Sequence, residues 1–224
     1  MKNQKLAIVY ILLLVLFCST GRANANINTD GDVNLYGIFF RQPRGLDGSP
    51  FLFNIWSMAT ITLYNGQVAN DVRTKFNILT NDLIFYNEKF KNLFTIDRET
   101  VISFDLDSGM PNKLHFIKYK GEPIGYKLKI GEYVHQVYSG RMQLLAKYSA
   151  SISDANDISS KDKIYPRNYY FIVDGIKTSE IKLNIRSLIK LYPEKKKMIK
   201  KTASQIHFHK KSLEDMTHLI EALE

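Results

Sequence analysis

The sequence predicts a mainly β protein, an antiparallel meander forming a barrel or sandwich of short strands with a C-terminal α-helical appendage. Three observations predict it. After Ser57 the apolar residues recur with period two, and clusters of Asn, Asp, Gly and Lys interrupt them every few residues. Asn65-Gly66 sits between two such runs, which is a strong short-range hairpin signal. After Leu183 the period changes to that of an amphipathic helix.

Taken in order, residues 26–49 mix Asn, Asp and Gly around the apolar run Leu35–Phe40, an irregular entry with one strand. Thr60–Tyr64, Asn65-Gly66 and Gln67-Val68 read as a hairpin with a type I′ turn. Val72, Thr74, Phe76 and Ile78 then share one strand face, and Arg73, Lys75 and Asn77 share the other. Leu83–Tyr86, Leu93–Ile96 and Val101–Leu106 are further β-prone runs, followed by a loop at Asp107–Asn112. Leu114–Tyr119, Tyr126–Ile130, Tyr133–Tyr138 and Met142–Tyr148 continue the meander. A polar linker spans Asp154–Lys163, and Tyr169–Val173 pairs with Ile176–Ile181 around Asp174-Gly175. Roughly nine to eleven short strands with tight turns result. Outer-membrane barrel strands need about nine to eleven residues with apolar outward positions throughout. These runs are shorter and carry Lys and Arg at alternate places, so the barrel or sandwich is read as a soluble one.

In the tail, Asn184 is an N-cap, with Ile185, Leu188, Ile189 and Tyr192 on one helical face. Pro193 suits the start of a second helix, in which Met198, Ile199, Thr202, Ala203 and Ile206 form an apolar stripe. Ser212 with Asp215 resembles a capping box, and Leu213, Met216, Leu219, Ile220 and Leu223 face inward. The domain reading is therefore a β domain over 26–182 and a helical, lysine-rich region over 183–224.

The first 25 residues have a different texture. Lys2 and Lys5 precede the unbroken apolar run Leu6–Phe17, and Ala23-Asn24-Ala25 places small residues where a signal peptidase reads them. The run falls short of the about 20 residues a membrane helix needs. Residues 1–25 read as a cleaved signal peptide, with a periplasmic or extracellular, envelope-associated product and no transmembrane segment after its removal. The sole cysteine, Cys18, lies inside this segment. Lipidation there calls for a small preceding residue, and Phe17 is bulky. The mature chain would then rely on its core rather than on disulfides.

Charge is concentrated at one end. Lys182–Lys211 holds ten Lys and Arg against Glu194 alone, whereas 26–181 is almost neutral and the last 13 residues are acidic. Lys195, Lys196, Lys197, Lys200 and Lys201 are the candidate binding residues, facing an envelope protein partner or an anionic envelope surface. Export argues against nucleic acid as the target.

No catalytic motif stands out, and no cofactor or metal is expected. Ser187-x-x-Lys190 matches a pattern of penicillin-recognising enzymes, but Ser153-Asp154-Ala155 and Lys177-Thr178-Ser179 only approximate its companion elements. His207 and His209 make at most half a metal site. His115 and His135 lie across a possible hairpin. Asp105 with Asp107, and Asp30 with Asp32, suit turns as well as chemistry.

Some of these stretches look familiar together. Gly48–Trp56, Ile61–Gly66, Lys75–Asn77 with Asn81–Leu83, Tyr138–Tyr148 and Ser187–Lys201 resemble uncharacterised exported proteins of Bacteroidota-type bacteria. The likeness covers about residues 48–224. It rests on turn and packing residues, so it implies a compartment and not a reaction. The functional expectation is a non-enzymatic binding or interaction module of the cell envelope; the alternative is a β-barrel-type carrier of an apolar ligand or lipid.

Overall fold

The computed structural model describes residue 33 and residues 35–43, 45–109, 111–153 and 162–224. Residues 1–25, read above as a signal peptide, with Cys18, the Asp30/Asp32 pair and most of the 154–163 linker lie outside these residues. Twelve strands follow in chain order: β1 (Gly37–Phe39), β2 (Leu46–Asp47), β3 (Ser57–Leu63), β4 (Val68–Asn77), β5 (Asp82–Asn87) and β6 (Asn92–Ile96). Then come β7 (Val101–Asp107), β8 (Leu114–Lys118), β9 (Tyr133–Ser139), β10 (Met142–Ser153), β11 (Asp162–Asp174) and β12 (Lys177–Ile181). They form one sheet in the order β1-β6-β5-β4-β3-β7-β8-β9-β10-β11-β12, with β2 paired to β11. Every pairing is antiparallel except β2 with β11. The expected mainly β meander is present. It is a single open sheet, with edges at β1 and β12, and does not close into a barrel.

The sheet curls because of local irregularities. Asp71 has φ 53°, and the β3–β4 register shifts between Ala59 and Ile61, so two residues of β4 oppose one of β3. Such a bulge increases twist and resets which side chains face inward. Ala69 and Val72 therefore both turn inward despite their odd separation. The curl brings the β4–β5 turn against β9 and β10. Ala150 N–H donates to the Ile78 carbonyl at 3.1 Å. Asn81 (φ 59°) brackets Tyr133, accepting its N–H at 2.7 Å and donating to its carbonyl at 2.9 Å.

Aromatic rings fill the space enclosed by this curl. Phe104 and Phe116 stack at 4.8 Å, Phe76 lies 4.9 Å from Phe116, and Tyr133 meets Phe104 edge-on at 5.0 Å. A carrier barrel needs an open apolar lumen; here these side chains occupy the corresponding position. His135 borders the stack, with Nδ1 3.0 Å from the Tyr148 hydroxyl. Burial, and secondarily the nearby His115, pushes its pKa down to about 4. An unfolded imidazole takes its proton near pH 6.5, so between pH 6.5 and about 4 the unfolded chain binds more protons. The contribution of His135 to stability is complete above pH 6.5 and is lost as pH falls towards 4, by roughly 3 kcal/mol in all. Urea midpoints measured across that window should decline in the native protein and flatten in His135→Gln. An unchanged slope in the variant assigns the acid sensitivity to other groups.

Two local expectations are corrected. Asn65-Gly66 does not make a type I′ turn, which needs positive φ at both residues; only Gly66 has it, at 82°. Gly66 N–H bonds the Leu63 carbonyl and Leu63 N–H bonds the Gln67 carbonyl, so the loop has three residues. This is a type I turn followed by a left-handed glycine, and the Asn65 side chain accepts the Gln67 N–H at 3.0 Å. Tyr126–Ile130 is not a strand. Ile124 and Leu128 form an isolated bridge, and Lys127 N–H bonds the Ile124 carbonyl, coiling the segment between Gly125 and Gly131, both at positive φ. In addition, Asp162 and Lys163, read as linker, belong to β11.

The helices α1 (Ile185–Leu191), α2 (Lys196–Gln205) and α3 (Leu213–Glu221) follow β12. Their caps are those the sequence indicates. Asn184 accepts the Ser187 N–H, Pro193 opens a 3₁₀ turn before α2, and Ser212 accepts the Asp215 N–H. Leu188, Ile199, Ala203, Met216, Leu219 and Ile220 are buried against Met142, Leu144 and Ile172 of the sheet. Strands and helices belong to one unit, Val33–Glu224, so the helices are a layer of the fold. Glu224 ties α3 to the β9–β10 turn by accepting the Met142 N–H and the Tyr138 hydroxyl. These bonds to its charged form hold its carboxyl below the usual range.

Candidate functional site

α2 presents its charge because its opposite face is committed to packing. Ile199 and Ala203 are buried on the sheet side. Lys197 and Lys201, one turn apart, stand on the face turned away from them, with Lys196 and Lys200 on a flank; all four are exposed. Lys195 is different. Its Nζ donates to the Leu223 carbonyl beside the Tyr192 ring, fastening the start of α2 to the end of α3. Folding thus separates Lys195 from the other four lysines.

None of the ten Lys and Arg residues in 182–211 has an ion-pair partner among the described residues. Two of the nearby acids, Asp215 and Glu221, are engaged elsewhere. The Asp215 carboxylate accepts the His209 backbone N–H at 2.7 Å, while its own N–H donates to Ser212 Oγ at the cap of α3, and Glu221 pairs with His218. Among the described residues, no ion pair neutralises this cationic face.

The same helices enclose a cleft of about 540 Å³, lined by Asn184, Ile185, Arg186, Ile189, Lys200, Phe208 and Lys210. Three cations stand over three apolar side chains, and no carboxylate lines it. A second hollow, about 630 Å³, lies along α1 and includes Lys182, Arg186 and Lys190 beside the Lys127–Glu180 pair. The sequence reading omitted Arg186, Lys210 and Phe208. The spacing of Arg186 and Lys190, one helical turn, was the signal for one of them. Nothing local in the sequence marks Phe208 or Lys210, which reach the cleft from the loop after α2.

The chain matches no protein-family model, no curated protein and no solved structure.

The other candidates have structural partners. Ser187 Oγ accepts the Lys182 N–H at 3.0 Å and Lys190 is exposed, so the Ser-x-x-Lys pair serves a helix start. His207 Nδ1 lies 3.1 Å from the Ser204 carbonyl and His209 Nδ1 3.2 Å from Asp215. His115 and His135 are not opposite one another: the register sets His135 against Phe116, while His115 meets Asp105 at 2.6 Å. Asp107 accepts the Gly109 N–H and lies 3.9 Å from Lys113. Among the described residues no group of three or more His, Cys, Asp or Glu is placed to hold a metal. No helix among them is long and apolar enough to cross a membrane.

Proposed function

We propose that this chain is an exported binding protein of the cell envelope, whose helical layer docks on a surface of anionic lipid phosphates. The observation that supports it is the absence of any ion pair for the ten Lys and Arg of 182–211 among the described residues, on a layer anchored by Leu188, Ile199 and Ala203. Unpaired cations on a rigid face gain most from an external anion, because neither side-chain packing nor an internal carboxylate competes for them. Lys196, Lys197, Lys200 and Lys201 supply the exposed contact. Arg186 and Lys210 extend it across the cleft, where Ile185, Ile189 and Phe208 offer apolar surface to a headgroup's glycerol region. Export through a cleaved segment 1–25, and kinship with the Bacteroidota-type exported proteins it resembles, belong to the same proposal.

Vesicle co-sedimentation tests it. The native chain should bind phosphatidylglycerol-containing vesicles, bind pure phosphatidylcholine vesicles far less, and be released as salt rises. Each surface lysine contributes about 1 kcal/mol on anionic membranes, so Lys197→Glu with Lys201→Glu should weaken binding at least about thirtyfold. Both residues are exposed, and circular dichroism should be unchanged. Equal binding by the double variant overturns the reading.

A further inference from the structure

A trough of about 960 Å³ lies on the sheet face opposite the aromatic stack. Strand alternation explains its floor: Phe104 and Phe116 point into the curl, so Ser103 and Ile117, paired in the same register, point outward. Ile117, Leu145 and Val173 form an apolar base. From Ser103 on β7 to Val173 on β11 the floor crosses four strand spacings, about 19 Å. One wall is the end of β8 with the stretch after it, Lys118–Glu122; the other is the β11–β12 turn with the start of β12, Gly175–Thr178. The Tyr119 hydroxyl, which donates to the Glu122 carbonyl at 2.7 Å and lies 2.9 Å from Thr178 Oγ1, links the two walls.

The charges at the rim define the chemistry. Lys120 stands on one wall and Lys177 on the other, both exposed and without an ion pair among the described residues. Glu122 is the one carboxylate in the lining. His115 is tied to Asp105, and Lys118 turns its ammonium over the Tyr64 ring at 4.9 Å. Ile176, at the hairpin tip, is 99% exposed. The floor strands β7 to β11 are all paired on both sides, so the floor offers side chains and no backbone edge to a peptide strand.

We infer that this trough binds a single-chain anionic amphiphile, a fatty-acid carboxylate. The acyl chain lies along Ile117, Leu145 and Val173, Ile176 covers it, and Lys120 and Lys177 hold the carboxylate. A narrow apolar floor with a cationic rim selects that combination over either half alone. The site is separate from the basic helical layer and does not depend on it.

Isothermal titration of the full chain with laurate, lauryl alcohol and acetate tests the inference, with a diazirine-bearing laurate locating the contact. Laurate should bind saturably, the alcohol at least about tenfold more weakly, and acetate not measurably. Lys120→Glu with Lys177→Glu should cost about tenfold or more in laurate affinity at unchanged circular dichroism. Ile117→Gln should weaken laurate and the alcohol alike. The photolabel should fall on β8, β10 and the β11–β12 hairpin. Absence of saturable binding, equal affinity for the alcohol, insensitivity to the lysine reversals, or label on 184–210 each overturns it.

Discussion

Replacing Glu132 by alanine should destabilise the fold by about 3–5 kcal/mol, the cost typical of stripping one partner from a buried ion pair. Lys147 leaves β10 on the outer face of the sheet, and its side chain is only 6% exposed, against 16% for Glu132. Their charged atoms are 2.5 Å apart, and the same carboxylate oxygen accepts the Lys129 N–H at 2.7 Å. Leu145, two residues before Lys147 on the same face of β10, belongs to a buried apolar cluster with Leu128, Val134 and Phe171, and Glu132 is the hydrogen-bond partner of the ammonium. Losing the carboxylate therefore strands a charge in an apolar setting and frees the 119–132 loop. The reverse change is milder, because Lys147→Met fills the same volume with an apolar chain and leaves Glu132 its backbone donor. The double variant Glu132→Ala with Lys147→Met should recover most of the loss, since no charge is then left uncompensated. Urea denaturation of the four proteins measures this cycle. If Glu132→Ala keeps the native midpoint, the pair carries none of the weight assigned to it.

Phe116→Ala should cost a similar amount, about 3–5 kcal/mol, through a different mechanism. Phe116 is fully buried on β8 and contacts the Phe104 and Phe76 rings at 4.8 and 4.9 Å. Its ring also lies 5.7 Å from His135 and 6.1 Å from Tyr148, so it joins strands from both halves of the curled sheet. Truncation removes both apolar burial and the stacking partner of Phe104, and a sheet pinned at its bulges cannot collapse fully into the void. Phe116→Leu should cost distinctly less, because it keeps most of the volume. Near-ultraviolet circular dichroism and the urea midpoint read the effect. Equal midpoints for Phe116→Ala and the native chain would show that the stack contributes nothing to holding the curl.

Much of the architecture was legible because it depends on short-range chemistry. Asn184, Pro193 and Ser212 mark helix starts through bonds within three residues, and period-two runs locate most strands within a residue or two of their ends. The errors share one cause. Asn65-Gly66 has the composition of a two-residue turn, yet the strand pairing leaves three residues to span it. Tyr126–Ile130 has strand-like side chains, but its flanking glycines and local bonds coil it before any neighbour can pair with it. Asp71 reverses the inward phase of β4, which no periodicity count can reveal without the opposing strand.

The charge distribution follows the same division. The linear pattern alone located the cations of 182–211, assigned a helical period to them and marked an apolar run at 6–17. Tertiary structure decided which of them are available. Lys195 is spent on the Leu223 carbonyl, 28 residues away, whereas Arg186 and Lys210 join Lys200 at one cleft. It also decided that Lys120 and Lys177 frame a common trough, and that Glu132 and Lys147 neutralise one another. Local sequence determines propensity and capping because those energies arise within a turn or a hairpin. Partnership between distant charges depends on chain closure and burial, which exist only once the sheet has curled and the helices have packed upon it.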